Sequence, residues 1–321
     1  MRGIVWSIVT CIMLLAGASI AEAGKAKHAD AAAVPPQRME IPIHQTTMPS
    51  GVQRYWVDVA LDDGEPSKAL LDTGSTGLMV FDNGPSPAKP LPRLGRLIAV
   101  YGSRDSGIQL NGNISSASIV LGGARSAHKI MLGLATKVRC LTGAAYCDAG
   151  KVKFDNYRFA DEGVTGLGFR LILGIGMEEG LLPNPLRVFA SSWIIMLPEA
   201  GATDPGKLIL NPSGAELQSF ELMHIATAGA RRGDGLRGVP GCLTARLSSD
   251  TLCGLVSFDT GSPGIMLLTE KDDLYAKLID GKAYTLSFDG PQLQMEPLAW
   301  RFTAPDTAAD FALHGRLRVG P

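Results

Sequence analysis

Two aspartates carry the clearest chemistry in this chain. Asp72 lies in Leu70-Leu71-Asp72-Thr73-Gly74-Ser75 and Asp259 in Ser257-Phe258-Asp259-Thr260-Gly261-Ser262, so one short pattern occurs twice, 187 residues apart (259 minus 72). An Asp that ends an apolar strand is costly to bury unless its charge is used or paired. Two of them invite one explanation. Brought to a single interface, like charges cannot readily coexist, so one carboxyl keeps a proton while the other ionises. Such a pair can activate a water and protonate a leaving group. The neighbouring residues suit that task. Gly74 and Gly261 permit tight turns under the carboxylates. The hydroxyls of Thr73 and Thr260 can tie the two loops together through backbone groups, and Ser75 and Ser262 can donate to the outer carboxylate oxygens. Those donors favour the ionised form and predict a working pH on the acid side.

The elements that must position these aspartates read as short strands. Tyr55 to Leu61, Ala69 to Leu71, Leu97 to Tyr101, Ser118 to Leu121, Lys207 to Leu210, Leu252 to Phe258 and Tyr284 to Phe288 are β runs separated by Gly, Pro, Asn and Asp. One helix is expected after Thr269, capped by that residue with Asp272 three positions on, and with Leu274, Tyr275 and Leu278 on one face. At 321 residues, with 45% hydrophobic and 19% charged, the chain can bury a sizeable core and exceeds one average domain. Two motif copies this far apart predict two similar lobes rather than a repeat array, whose periods run roughly 20 to 50 residues.

The two motifs, each preceded by apolar residues and set at lobe-scale spacing, resemble the paired catalytic motifs of pepsin-like (family A1) aspartic peptidases. The likeness is to a bacterial-type variant with a short C-terminal lobe, and it runs over most of Ile41 to Trp300. Tyr55 to Leu61 is similar to the family's early strand, and Tyr101-Gly102-Ser103 to the tip of its substrate-covering flap. Leu171-Ile172-Leu173-Gly174 resembles the segment that passes under the first catalytic loop, and the helix after Thr269 also has a counterpart.

The resemblance implies an all-β, bilobal fold with the active site between the lobes. Residues 41–212 would form the N-terminal lobe, with the first motif and the flap, and 213–321 a short C-terminal lobe with the second. Asp72 and Asp259 would be catalytic, supported by Thr73, Gly74, Ser75, Thr260, Gly261 and Ser262, with Tyr101 and Gly102 in the flap. The partner would be a peptide or protein substrate, with no cofactor. Three departures from the family pattern stand out. Met79 replaces a Trp that bonds the flap tyrosine, and a thioether cannot donate. Pro263 follows Ser262, removing a backbone N–H. Only Phe311-Ala312-Leu313-His314-Gly315 vaguely matches the family's closing segment. The stretch between Gly24 and Ile41 leaves little room for a pro-segment.

Residues 1–23 read as a cleavable signal peptide: Arg2 is the positive end, Ile4 to Leu15 is mostly apolar, and Ala21-Glu22-Ala23 fits a small-x-small cleavage site. A membrane anchor is the rival reading, but the apolar stretch is shorter than the roughly 20 residues that span a bilayer. Residues 24–40 form a polar, Ala-, Lys- and Pro-containing leader. The reading is therefore export, to a periplasm or out of the cell, with no membrane anchor after cleavage.

Removal of Cys11 with the signal leaves Cys140, Cys147, Cys242 and Cys253, which allow three pairings in an oxidising compartment. The two local ones, Cys140 with Cys147 and Cys242 with Cys253, close short loops; four buried free thiols are the alternative. The resemblance supports Cys242 with Cys253, since many relatives carry a local disulfide before the second motif.

Other chemistries find little footing. With 30 Lys+Arg against 31 Asp+Glu, a formal charge of −1 and no long basic run, nucleic-acid binding is not expected. His28, His44, His128, His224 and His314 are scattered, so no metal is expected. The glycines near Gly166 and Gly174 do not form G-x-G-x-x-G, and neither Ser75 nor Ser262 sits in G-x-S-x-G. Because one chain holds both motifs, a monomer is expected rather than a dimer with one motif per subunit. The sequence thus predicts an aspartic endopeptidase that activates water between two carboxyls. The alternative is a catalytically weak or inactive protein of the same fold that binds peptides or proteins in the cleft.

Overall fold

Successive side chains of a strand face opposite ways, and the strand that ends on Asp72 is buried on both faces. Leu71 packs into one apolar cluster with Val57, Leu173 and Trp193, while Leu70 packs into a second with Met79, Phe81 and Ile172. The computed structural model describes residues 37–262 except 50, 83, 85–89, 103–106, 145–146, 161–166, 177–179, 200, 219, 221–224, 229–235 and 246–250, together with 283–288, 298–303 and 316–319. The expected signal peptide, the helix after Thr269, Pro263 and the 311–315 segment lie outside the described residues.

The architecture is mostly β. The chain opens with β1 (Met39–Thr47), β2 (Gln53–Leu61), β3 (Ser67–Asp72) and β4 (Thr76–Phe81). Next come β5 (Gly95–Tyr101), β6 (Ile108–Ala117), β7 (Ile119–Leu121), β8 (Ala124–Arg125) and β9 (Ile130–Cys140). After β10 (Leu171–Ile175), β11 (Trp193–Met196) and β12 (Gly206–Leu210), the short helix α1 spans Gly214–Gln218. The remaining strands are β13 (Ala226–Ala228), β14 (Leu236–Ala245), β15 (Thr251–Val256), β16 (Ala283–Phe288), β17 (Leu298–Thr303) and β18 (Arg316–Val319).

Two sheets result. The larger runs β18-β11-β12-β1-β2-β3-β10-β4-β9-β6-β5, with β7 and β8 appended beside β2; the smaller runs β13-β14-β16-β17, with β15 beside β14. β18 therefore pairs with β11 in the larger sheet, Trp193 opposite Val319, while β17 before it belongs to the smaller one. Each motif leaves a strand: β3 ends on Asp72, and Asp259 follows three residues after β15.

The centre of the larger sheet positions the first motif. β10 inserts between β3, to which it is parallel, and β4, to which it is antiparallel. All five of its residues are buried, the pattern of a strand covered on both faces. Gly174 lies opposite Asp72 on one side and Gly77 on the other. A Cβ there would stand 2.7 Å from the Gly77 carbonyl oxygen and 2.8 Å from Ser75 Oγ.

The helix start carries a signal that is legible in the sequence. Helix α1 is introduced by Ser213, whose Oγ accepts from the Glu216 N–H at 3.3 Å while Glu216 Oε2 accepts from the Ser213 N–H at 2.8 Å. This is the reciprocal S-x-x-E cap.

Because neither backbone nor serine can retreat without parting β10 from β3 and β4, Gly174→Ala should destabilise the fold by roughly 1 to 3 kcal/mol. The denaturant midpoint measures it. An unchanged midpoint would mean that the strands part freely and do not set the loop.

Candidate active site

The two motifs meet. The Thr73 N–H donates to Thr260 Oγ1 at 3.2 Å, and the Thr260 N–H donates to Thr73 Oγ1 at 3.0 Å. Each hydroxyl then passes its own proton across: Thr73 Oγ1 donates to the Phe258 carbonyl at 2.5 Å, and Thr260 Oγ1 to the Leu71 carbonyl at 2.6 Å. Four hydrogen bonds thus join the loops in a pseudo-symmetric cross, using a residue type with one donor and two acceptor sites on its hydroxyl.

The cross brings the carboxyls together over two glycines. A Cβ on Gly74 would lie 2.3 Å from Asp259 Cγ, and one on Gly261 would lie 2.6 Å from Asp72 Cγ. Each glycine therefore makes room for the other loop's carboxyl, which no side-chain-bearing residue permits. Asp72 Oδ1 accepts from the Gly74 N–H at 2.8 Å, and Asp72 Oδ2 from Ser75 Oγ at 2.5 Å. Asp259 Oδ1 accepts from the N–H groups of Gly261 at 2.8 Å and Ser262 at 3.1 Å.

The surroundings of the two carboxyls differ. Asp72 is 6% exposed, whereas Asp259 is exposed. Burial, then the Asp259 charge, push the Asp72 carboxyl up to about 7, a hydrogen bond with Asp259 adds to this, and the donors Ser75 and Gly74 oppose it. The donors alone would hold this group in the acid range, as the sequence suggested. Desolvation and the like charge outweigh them. Burial and the neighbouring charge thus favour the protonated form of the Asp72 carboxyl.

Tyr101, at the end of β5, joins the group. Its ring is half-buried and lies 5.8 Å from that of Phe159. Burial and the nearby Asp72 charge push its phenol up, keeping it neutral. Met79 occupies the second apolar cluster, 1% exposed. Gly102 follows with φ 83°, in the left-handed region where glycine turns without strain.

Both local disulfides are present, Cys140 with Cys147 and Cys242 with Cys253. Tyr101, Ile108 and Cys140 lie side by side across β5, β6 and β9. The first disulfide thus ties the Tyr101 hairpin to the segment that supplies Tyr157 and Phe159. The second bridges directly opposed residues of β14 and β15, the strand leading to Asp259. Among the described residues, no group of three or more His, Cys, Asp or Glu is arranged to hold a metal ion.

One contact had only a faint sequence signal, a lone cation in an apolar strand. Arg54 of β2 is 8% exposed and donates from Nη1 to the Gly261 carbonyl at 2.7 Å.

No protein-family model matches this chain, and no curated protein matches it. Solved structures do. The aspartic proteinase from Irpex lacteus matches with a TM-score of 0.51 over 84% of this chain and 79% of that one, at 13% sequence identity. An identity that low speaks for the fold alone: the chain has a pepsin-like aspartic proteinase fold.

A buried carboxyl whose folded-state pKa is raised contributes most stability while protonated and loses it as pH climbs from its unfolded value towards about 7. Asp72→Asn should therefore match the wild type near pH 4 and exceed it above pH 7, by up to about 4 kcal/mol. Denaturant unfolding at both pH values checks this, and a difference independent of pH would contradict the buried-proton assignment.

Proposed function

We propose that this protein is an exported aspartic endopeptidase. The observation that carries the reading is the pair itself: two carboxyls from repeated D-T-G-S loops, each packed over the other loop's glycine, one buried and the other open to water.

In the proposed reaction, ionised Asp259 removes a proton from water, whose oxygen attacks the peptide carbonyl carbon, while Asp72 passes its proton to the carbonyl oxygen. The resulting gem-diol collapses as Asp72 takes back a hydroxyl proton and Asp259 protonates the nitrogen. The C–N bond breaks, and the acid and amine depart with Asp72 again protonated. No covalent intermediate forms. Tyr101, on its β-hairpin, would close over an extended peptide and exclude water beside the bond. Apolar side chains flanking that bond are the preference the resemblance implies. Two disulfides, and among the described residues no helix long and apolar enough to cross a membrane, are consistent with export.

Cleavage of an unfolded protein substrate from acid to neutral pH tests the reading. Activity should fall as pH rises through about 7, where Asp72 loses its proton. Asp72→Ala and Asp259→Ala should each reduce cleavage by at least about 100-fold, and pepstatin should inhibit the wild type. A folded, oxidised wild type that cleaves at no pH would overturn the peptidase reading and leave peptide binding as the use of the site.

A further inference from the structure

Arg54 touches the second motif at a point that bears directly on Asp259. The carbonyl it donates to belongs to the Gly261–Ser262 peptide group, and the N–H of that same group donates to Asp259 Oδ1 at 3.1 Å. Guanidinium, peptide and carboxylate therefore form a line: N–H of Arg54 to the carbonyl at 2.7 Å, through the planar amide, and out through its N–H to the carboxylate. A peptide unit is rigid about its C–N bond. Gripping its oxygen consequently sets the direction of its N–H.

The residue type matters. A guanidinium keeps its charge at every working pH and offers several donors in a fixed plane. A charge-assisted bond to the carbonyl draws electron density towards the oxygen and strengthens donation at the nitrogen end, since linked hydrogen bonds polarise one another. Arg54 starts from β2 of the larger sheet, where its backbone is paired opposite Thr46. The second loop is thus anchored to the same sheet that supplies Asp72, by a route separate from the threonine cross.

We infer that Arg54 is a positioning residue of the site, holding the Gly261–Ser262 peptide so that its N–H stays on Asp259. It acts through that peptide. Its effect on turnover rests on the peptidase reading; its effect on the amide does not.

Two readouts separate these. In the wild type, the Ser262 amide proton should resonate downfield, as a donor to a carboxylate, and exchange slowly. In Arg54→Met it should move upfield and exchange faster. In Arg54→Lys, which keeps a charged donor on a flexible stem, it should stay near its wild-type position. If the Met variant does not fold, Arg54→Gln, uncharged and shorter, makes the same comparison. In steady-state kinetics, the Met or Gln variant should lose roughly tenfold to a hundredfold in kcat at nearly unchanged KM, and Arg54→Lys should recover most of it. An amide shift in an inactive wild type would uphold the positioning role and reject the peptidase reading. An unshifted Ser262 amide in a folded Met or Gln variant, or an equal loss in kcat for Lys and Met, would overturn the inference.

Discussion

The crossed hydrogen bonds of Thr73 and Thr260 are the constraint on which the site depends. Each threonine uses both capacities of its hydroxyl, accepting from the partner's N–H and donating to a carbonyl that precedes the partner's loop. With all four bonds made, the loops cannot slide or rotate against each other without leaving buried polar groups unsatisfied, a cost of about 1 to 3 kcal/mol for each. The two glycines then have no choice but to lie under the opposite carboxyls. Without the cross, two like charges would have no reason to stay so close.

Closeness creates the electrostatic asymmetry. The loops are alike in sequence, but Asp72 ends a strand buried on both faces and Asp259 follows a strand by three residues and remains open. Water solvates the exposed charge and not the buried one, which favours the protonated form of Asp72. The donors Ser75 and Gly74 oppose that shift without reversing it.

The same logic links the scaffold to the chemistry. β10 wedges between β3 and β4 and closes the floor of the first loop, and Gly174 is bare because Ser75 and the Gly77 carbonyl leave no volume for a side chain. The C-terminal strand β18 returns to β11 in the larger sheet. That pairing joins residues more than a hundred positions apart and leaves no local pattern in the sequence.

What the sequence determined by itself was local and repeated. The doubled D-T-G-S after apolar runs, the alternation in Tyr55 to Leu61 and the close cysteine spacings are all short-range patterns, set by strand period, turn chemistry and loop length. They were enough to name the carboxyls and the fold. Strands with mixed or continuous burial, such as β6 and β9, carry a weaker pattern, and the S-x-x-E cap of α1 is a short signal in a chain dominated by strands. Only the tertiary structure decided which aspartate is buried, and that Arg54 reaches Gly261 across 207 positions. It also decided that Tyr101 lies close enough to the first motif to feel the Asp72 charge. The reason is physical: desolvation and long-range hydrogen bonds depend on what surrounds a residue after folding, and identical motifs in different surroundings acquire different chemistry.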